Sequence, residues 1–145
     1  MHVQDLTQAQ CWGFLGARRM GRLGCAHDNR PYVVPLNFAI QKPWFFAFTT
    51  AGQKAEYLKA NPFVCLQFDA ILSRQSWTSV VVDGRFEMLQ SDAEQDHAHR
   101  LLEEAAWWEP GYVRTTVGGH LRSASPFCFR VLTQKISGRQ GLPET

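Results

Sequence analysis

Two threonines, a glycine and a lysine lie close together in Thr49-Thr50-Ala51-Gly52-Gln53-Lys54, just ahead of a short helical segment that ends at Asn61-Pro62. Hydroxyls, a flexible glycine and a cation at the mouth of a helix are the groups a phosphate needs. The backbone N–H groups of a helix's first turn have no intrahelical partner, and the helix dipole favours negative charge there. The arrangement suits a phosphorylated cofactor such as a nucleotide or a flavin. A solvated lysine beside a turn is the plainer reading of Lys54, because T-x-G-x-K is far shorter than a full phosphate loop. The chain has neither GxxxxGK[ST] nor GxGxxG, so an ATPase or a dinucleotide fold is not supported.

A second place for chemistry is Val33–Phe38, where Asn37 and Pro35 interrupt an apolar run. Proline donates no ladder hydrogen bond, so this strand must lie at an edge, carry a bulge or face a ligand. An open edge offers backbone N–H and C=O groups that can read the pyrimidine side of a flavin ring. An ordinary edge strand explains the same residues.

Other chemistries find little support. His97 and His99 are two apart on an expected helix and point in opposing directions, so they cannot share a metal from that element. There is no HExxH, no Cys/His cluster, no GxSxG and no carboxylate pair suited to hydrolysis. Asp69 and Asp83 fall on the polar faces of strands and are expected to be solvated. Trp107-Trp108 closes an expected helix; two adjacent tryptophans cannot both face one core, so one covers a pocket or a partner subunit, or staples the helix end.

The elements that must position these groups follow from periodicity. Thr7 and Gln10 form a capping-box pair that starts a helix over Gln8–Arg18. Strands follow at Arg22–His27 and Tyr32–Ile40, joined by the turn Asp28-Asn29-Arg30-Pro31. Trp44–Thr49 is apolar throughout, as in a strand buried on both faces. A helix over Gly52–Ala60 stops at Pro62. Phe63–Asp69 and Trp77–Met88 alternate, with Val64, Leu66, Phe68, Val80, Val82, Phe86 and Met88 on the inner faces. Ser91 and Glu94 start a third helix reaching Trp107, and Phe127–Lys135 forms the last strand. About six strands and three helices in antiparallel hairpins predict a mainly β chain, a closed or split barrel.

The 145 residues form one expected domain spanning 1–145, 45% hydrophobic and 19% charged, and therefore globular. A net charge of +2 with scattered basic residues gives no footprint for nucleic acid. Cys11, Cys25, Cys65 and Cys128 include no CxxC pair, which favours free cysteines in a reducing compartment. With no secretory signal and no apolar run of about 20 residues, a cytoplasmic protein without membrane spans is expected.

Taken in order, GRLGCAHDNRPYVVPLNF (21–38), the TTAGQK turn followed by YLKANPFVCLQFD (57–69), WTSVVVDGRFEML (77–89) and FRVLTQKISGR (129–139) resemble the pyridoxamine 5'-phosphate oxidase-like, flavin-binding split-barrel superfamily. Within it, the nitroimidazole-resistance (nitroimidazole reductase) branch is the nearest likeness. The resemblance implies a six-stranded antiparallel split β-barrel with flanking helices, and a homodimer holding FMN in each of two interface clefts. By analogy, Val34, Pro35, Leu36 and Asn37 lie along the isoalloxazine ring, and Thr49, Thr50, Gln53 and Lys54 hold the ribityl phosphate. Trp77 and Ser79 begin a long strand that approaches the cofactor, Trp108 closes the cleft from the other subunit, and Arg139 belongs to a terminal glycine–cation pair. Many members of that branch carry a histidine just before the phosphate turn, where this chain has Phe48. The motifs of a full pyridoxamine phosphate oxidase are also absent. The implied activity is an FMN-dependent oxidoreductase acting on a small nitroaromatic or quinone-like electron acceptor, with NADH or NADPH as the candidate donor. The alternatives are a flavin-binding carrier or sensor without turnover, or a split barrel for deazaflavin or haem, with His120 as the residue to watch for haem.

Overall fold

A computed structural model describes residues 1–16, 18–49, 53–105, 115–117, 120–122 and 127–144. The described elements are β1 (His2–Asp5), α1 (Gln8–Leu15), β2 (Met20–His27), β3 (Arg30–Asn37), β4 (Ala39–Gln41), β5 (Trp44–Thr49), α2 (Gln53–Ala60), β6 (Phe63–Ser73), β7 (Ser76–Met88), α3 (Asp92–Ala105), β8 (Thr115–Val117), β9 (His120–Arg122) and β10 (Phe127–Leu142). The main sheet is antiparallel and runs β3-β2-β6-β7-β10-β5-β4, with β1 also paired to β10. Six of these strands, β2, β3, β5, β6, β7 and β10, are the expected barrel staves. Among the described residues no ladder joins β3 to β5, and that gap is the split.

The core follows the alternation of the sequence. Leu66 and Phe68 of β6 and Val80 and Val82 of β7 are fully buried, while Gln67, Asp69, Ser79 and Val81 face outward between them. Phe38, Phe45 and Phe68 meet at the centre, with ring centroids 5.4 to 6.4 Å apart. Trp44–Thr49 is buried on both faces, as its composition predicts. Phe45 and Ala47 enter the barrel core, whereas Phe46 joins a second cluster with Ala98, Leu102 and Cys128 beneath α3.

Several boundaries differ from expectation, each for a physical reason. The first helix ends at Leu15 rather than Arg18, because Gly16 leaves the helical conformation while its N–H still bonds Trp12 O at 3.1 Å. The expected strand Tyr32–Ile40 divides into β3 and β4 where Phe38 turns into the core and its N–H bonds Arg19 O. The last strand continues past Lys135 to Leu142. An irregularity between Thr133 and Lys135 shifts its register by one residue, and beyond it β10 pairs β7 as far as Gly141 opposite Trp77. The N-terminal strand β1 then adds to the far end of β10, a long-range pairing that local pattern does not encode.

The α3 helix is tied to the sheet by side chains. Gln95 mimics a strand partner: its amide nitrogen bonds Cys128 O at 3.0 Å and its amide oxygen accepts Cys128 N–H at 3.0 Å. Arg130 lies over Trp44 at 4.0 Å and bonds Glu87 at 3.1 Å. The capping box at Ser91 and Glu94 is formed, and hydrogen bonds from Ser91 hold the Glu94 carboxyl below its usual range. No helix among the described residues is long and apolar enough to cross a membrane.

None of the four cysteines forms a disulfide. Burial raises the thiol pKa of Cys11 and Cys65, the latter also through the Asp83 carboxylate, and pushes Cys128 up to about 12. A group that holds its proton more tightly when folded contributes stability that is complete below its unfolded pKa and is lost as pH rises through the folded value. The protein is therefore expected to lose stability progressively from about pH 9 toward pH 12. Urea titrations across that window would measure it, and a flat profile would contradict the buried-thiol account.

Candidate functional site

The sheet carries the nominated residues to three places. Trp77 and Ser79 share the outer face of β7, and Arg139 pairs directly opposite Ser79 on β10. These three line a cavity of about 660 Å³ together with Asp5, Gln8 and Val81. That volume lies within the usual range of about 300–1,000 Å³ for small-molecule sites. The Trp77 indole lies over Gly141, where a Cβ would come within 2.6 Å of its Nε1. Only a glycine leaves room for the ring there. Arg139 is largely exposed and its Nε donates to Asp5 at 3.1 Å.

A second cavity of about 350 Å³ adjoins the first across Trp77 and Ser79, and Gln67, Asp69 and Arg74 also line it. Between strands β2, β6 and β7 runs a connected polar network. Arg22 Nη1 donates to Gln67 Oε1 at 3.1 Å and to Asp69 Oδ2 at 3.2 Å. Gln67 Nε2 donates to Asp69 Oδ2 at 2.9 Å and to Ser79 Oγ at 3.2 Å. Asp69 is therefore an ion-paired, half-buried carboxylate and not the solvated one expected from its polar strand face, because the register sets Arg22 beside Gln67 and Asp69 opposite Ser79. Asp83 is exposed, as expected.

The second place is β3, the edge strand of the main sheet, which explains how Pro35 is accommodated. Val34 and Leu36 pack against the barrel core, so Pro35 and Asn37 alternate to the opposite face. Pro35 pairs with Arg22, whose other neighbour is Gln67, so this face continues into the polar network. The Asn37 side-chain oxygen is buried and has no hydrogen-bond partner among the described residues. Such an orphan costs about 1–3 kcal/mol unless something donates to it. A ring N–H is a donor of the right kind, so Asn37 fits a heterocycle lying along the edge.

The third place is the end of β5 and the start of α2. Thr49 is buried on the same face as Ala47. Phe48 points the other way, to α3, with its ring centroid 4.9 Å from that of His99. The helix α2 begins at Gln53, so Gln53 and Lys54 open its first turn. Asn61 anchors the other end through Nδ2 to Ala26 O at 3.0 Å. Thr50 and Trp108 lie outside the described residues, and His120 opens β9.

Arg22, Gln67, Asp5 and Gln8 were not singled out by sequence reasoning, and Asp69 was read only as a solvated carboxylate. Alternation puts Gln67 and Asp69 on one face, but only the inter-strand register shows that Arg22 and Ser79 meet them. Asp5 and Gln8 reach the cavity through the pairing of β1 with β10, for which the sequence carries no local signal.

Residues 7–140 match the model of the family described as pyridoxamine 5'-phosphate oxidase. The chain belongs to this family. Like other family members, it is a mainly β split barrel. It is 33% identical over 144 residues to an uncharacterized protein of Rhizobium meliloti, covering 96% of this chain and 95% of that one. The structure is similar to that of a FAD-binding protein from Mesorhizobium loti, with a TM-score of 0.79 and 38% identity, covering 97% of this chain and 99% of the other. A FAD-binding protein from Mycobacterium smegmatis shares the fold at a TM-score of 0.72 and 24% identity, over 97% and 100% of the two chains.

Proposed function

We propose that this family member is a flavin-binding oxidoreductase that holds FMN and delivers electrons to a small nitroaromatic or quinone-like acceptor, with NADH or NADPH as donor. The observation that carries the reading is the cavity of about 660 Å³ whose wall collects Trp77, Ser79 and Arg139 from two distant stretches of chain. The orphaned Asn37 oxygen on the open β3 edge supports it, as does similarity to the FAD-binding protein of Mesorhizobium loti.

In this reading Lys54 and the first-turn N–H groups of α2 neutralise the phosphate. Backbone groups from Val34 to Asn37, with the Asn37 oxygen, orient the ring. Thr49, Thr50 and Gln53 flank the phosphate, and Phe48 at the end of β5 packs on His99 of α3. Bound flavin supplies the electron transfer, and the chain supplies orientation, electrostatics and exclusion of water. Trp77, Ser79 and Arg139 lie on an outer sheet face and Pro35 and Asn37 on an edge strand, a surface that a second copy of the chain would enclose. The protein is accordingly a homodimer, with Trp108 of each copy closing the other's cleft.

A second reading has FAD in place of FMN, favoured by the FAD-binding relative at 38% identity. One preparation tests all of this. The purified protein is expected to show flavin absorbance, to release FMN on denaturation by mass, and to sediment as a dimer at micromolar concentration. Released FAD would establish the second reading. A colourless protein that does not quench added FMN or FAD fluorescence would overturn both.

A further inference from the structure

We infer that Gln67, clamped by Arg22 and Asp69, is a positioning residue that forces the Ser79 hydroxyl to donate its proton to an acceptor oxygen of the ligand in the adjoining cavity. The inference rests on the flavin reading above for the identity of that ligand. It rests on hydrogen-bond accounting for everything else.

The orientation of the Gln67 amide is not free. Arg22 can only donate and reaches Gln67 at 3.1 Å, so the amide atom facing it must be the oxygen. The Asp69 carboxylate accepts at 2.9 Å, so the atom facing it must be the nitrogen. That same nitrogen reaches Ser79 Oγ at 3.2 Å and donates to it. A serine hydroxyl has one proton and two lone pairs. With a lone pair taken by Gln67, Ser79 keeps its proton to give, and no described residue accepts it. Ser79 also lines both cavities that meet at Trp77. The network thus converts an ambivalent hydroxyl into a committed donor. It selects for a ligand that presents an oxygen acceptor there, a phosphate or a carbonyl, over one that presents an N–H.

The test is flavin titration by fluorescence quenching of the full-length protein stripped of cofactor, using FMN and FAD as probes. Ser79→Ala removes the donor, Gln67→Met removes the clamp, and Gln67→Glu reverses it by offering the Ser79 proton a carboxylate. Ser79→Ala and Gln67→Met are each expected to weaken binding roughly five- to twentyfold, as for one lost hydrogen bond to a charged or polar oxygen, with Gln67→Glu at least as weak. In the Ser79→Ala background, Gln67→Met is expected to weaken binding less than about twofold further, because its effect passes through that hydroxyl. A merely structural role for Gln67 would persist in that background. Multiplying effects in the double variant, or Gln67 variants that bind like the wild type, would overturn the relay while leaving the flavin reading intact. A wild-type protein that binds neither probe would overturn both. If repulsion from Asp69 unfolds Gln67→Glu, Gln67→Met and the double variant decide alone.

Discussion

Replacing Lys54 by alanine is expected to weaken flavin binding by about 1.5–3 kcal/mol, the range for a charge-assisted hydrogen bond. At 1.4 kcal/mol per decade this is roughly a ten- to hundredfold rise in Kd. Lys54 is the second residue of α2, in the first turn, where the helix field favours an anion. The loss should be concentrated in phosphorylated ligands: binding of riboflavin, which lacks the phosphate, should change little between the two proteins. Fluorescence titration with FMN and riboflavin measures both. Equal loss for the two ligands, or no loss for either, would remove Lys54 from the phosphate site.

The second large effect lies in the core. Phe68→Ala is expected to destabilise the protein by about 3–5 kcal/mol, the usual cost of deleting a buried phenylalanine. Phe68 is fully buried, meets Phe38 edge-on and Phe45 at a tilt, and packs directly on Gly21, where an added Cβ would approach its ring to 2.5 Å. The barrel around it is closed by ladders on both sides of β6, so little collapse into the cavity is available. By contrast, Phe63 at the start of the same strand is 57% exposed, and Phe63→Ala should cost less than about 1 kcal/mol. Denaturant unfolding of the two variants checks the pair. Similar losses at both positions would contradict the assignment of inner and outer faces.

These two outcomes test different parts of the molecule, and the second constrains the first. The outer-face network of Arg22, Gln67, Asp69 and Ser79 is built on the backs of strands whose inner faces are Leu23, Leu66, Phe68 and Val80. A core that loosens would therefore be felt at the site as lost register before it was felt as lost residues. Binding measurements on core variants are for that reason best read at temperatures well below their unfolding midpoints.

Much of the fold was legible in the sequence because its information is local. Alternation in Phe63–Asp69 and Trp77–Met88 assigned inner and outer faces, since a strand's side-chain period is two and one face had to be apolar. The capping boxes at Thr7/Gln10 and Ser91/Glu94 marked two helix starts. Pro35 required an edge, a bulge or a facing ligand, and β3 is the edge strand among these. The helix after the threonine-rich turn, with Lys54 in its first turn, followed from hydroxyls, glycine and Pro62. What tertiary structure alone decided is which distant strands become neighbours. Gln8 and Ile136, 128 positions apart in sequence and joined by a 3.0 Å hydrogen bond, have no echo in local pattern. Nor does the extension of β10 beyond Lys135, which depends on β1 and β7 as partners. The same holds for Asp69: composition and alternation expose it, and only register supplies Arg22. Sequence periodicity dictates which way a side chain faces, whereas the chemistry available to it is set by residues brought alongside through ladder pairing.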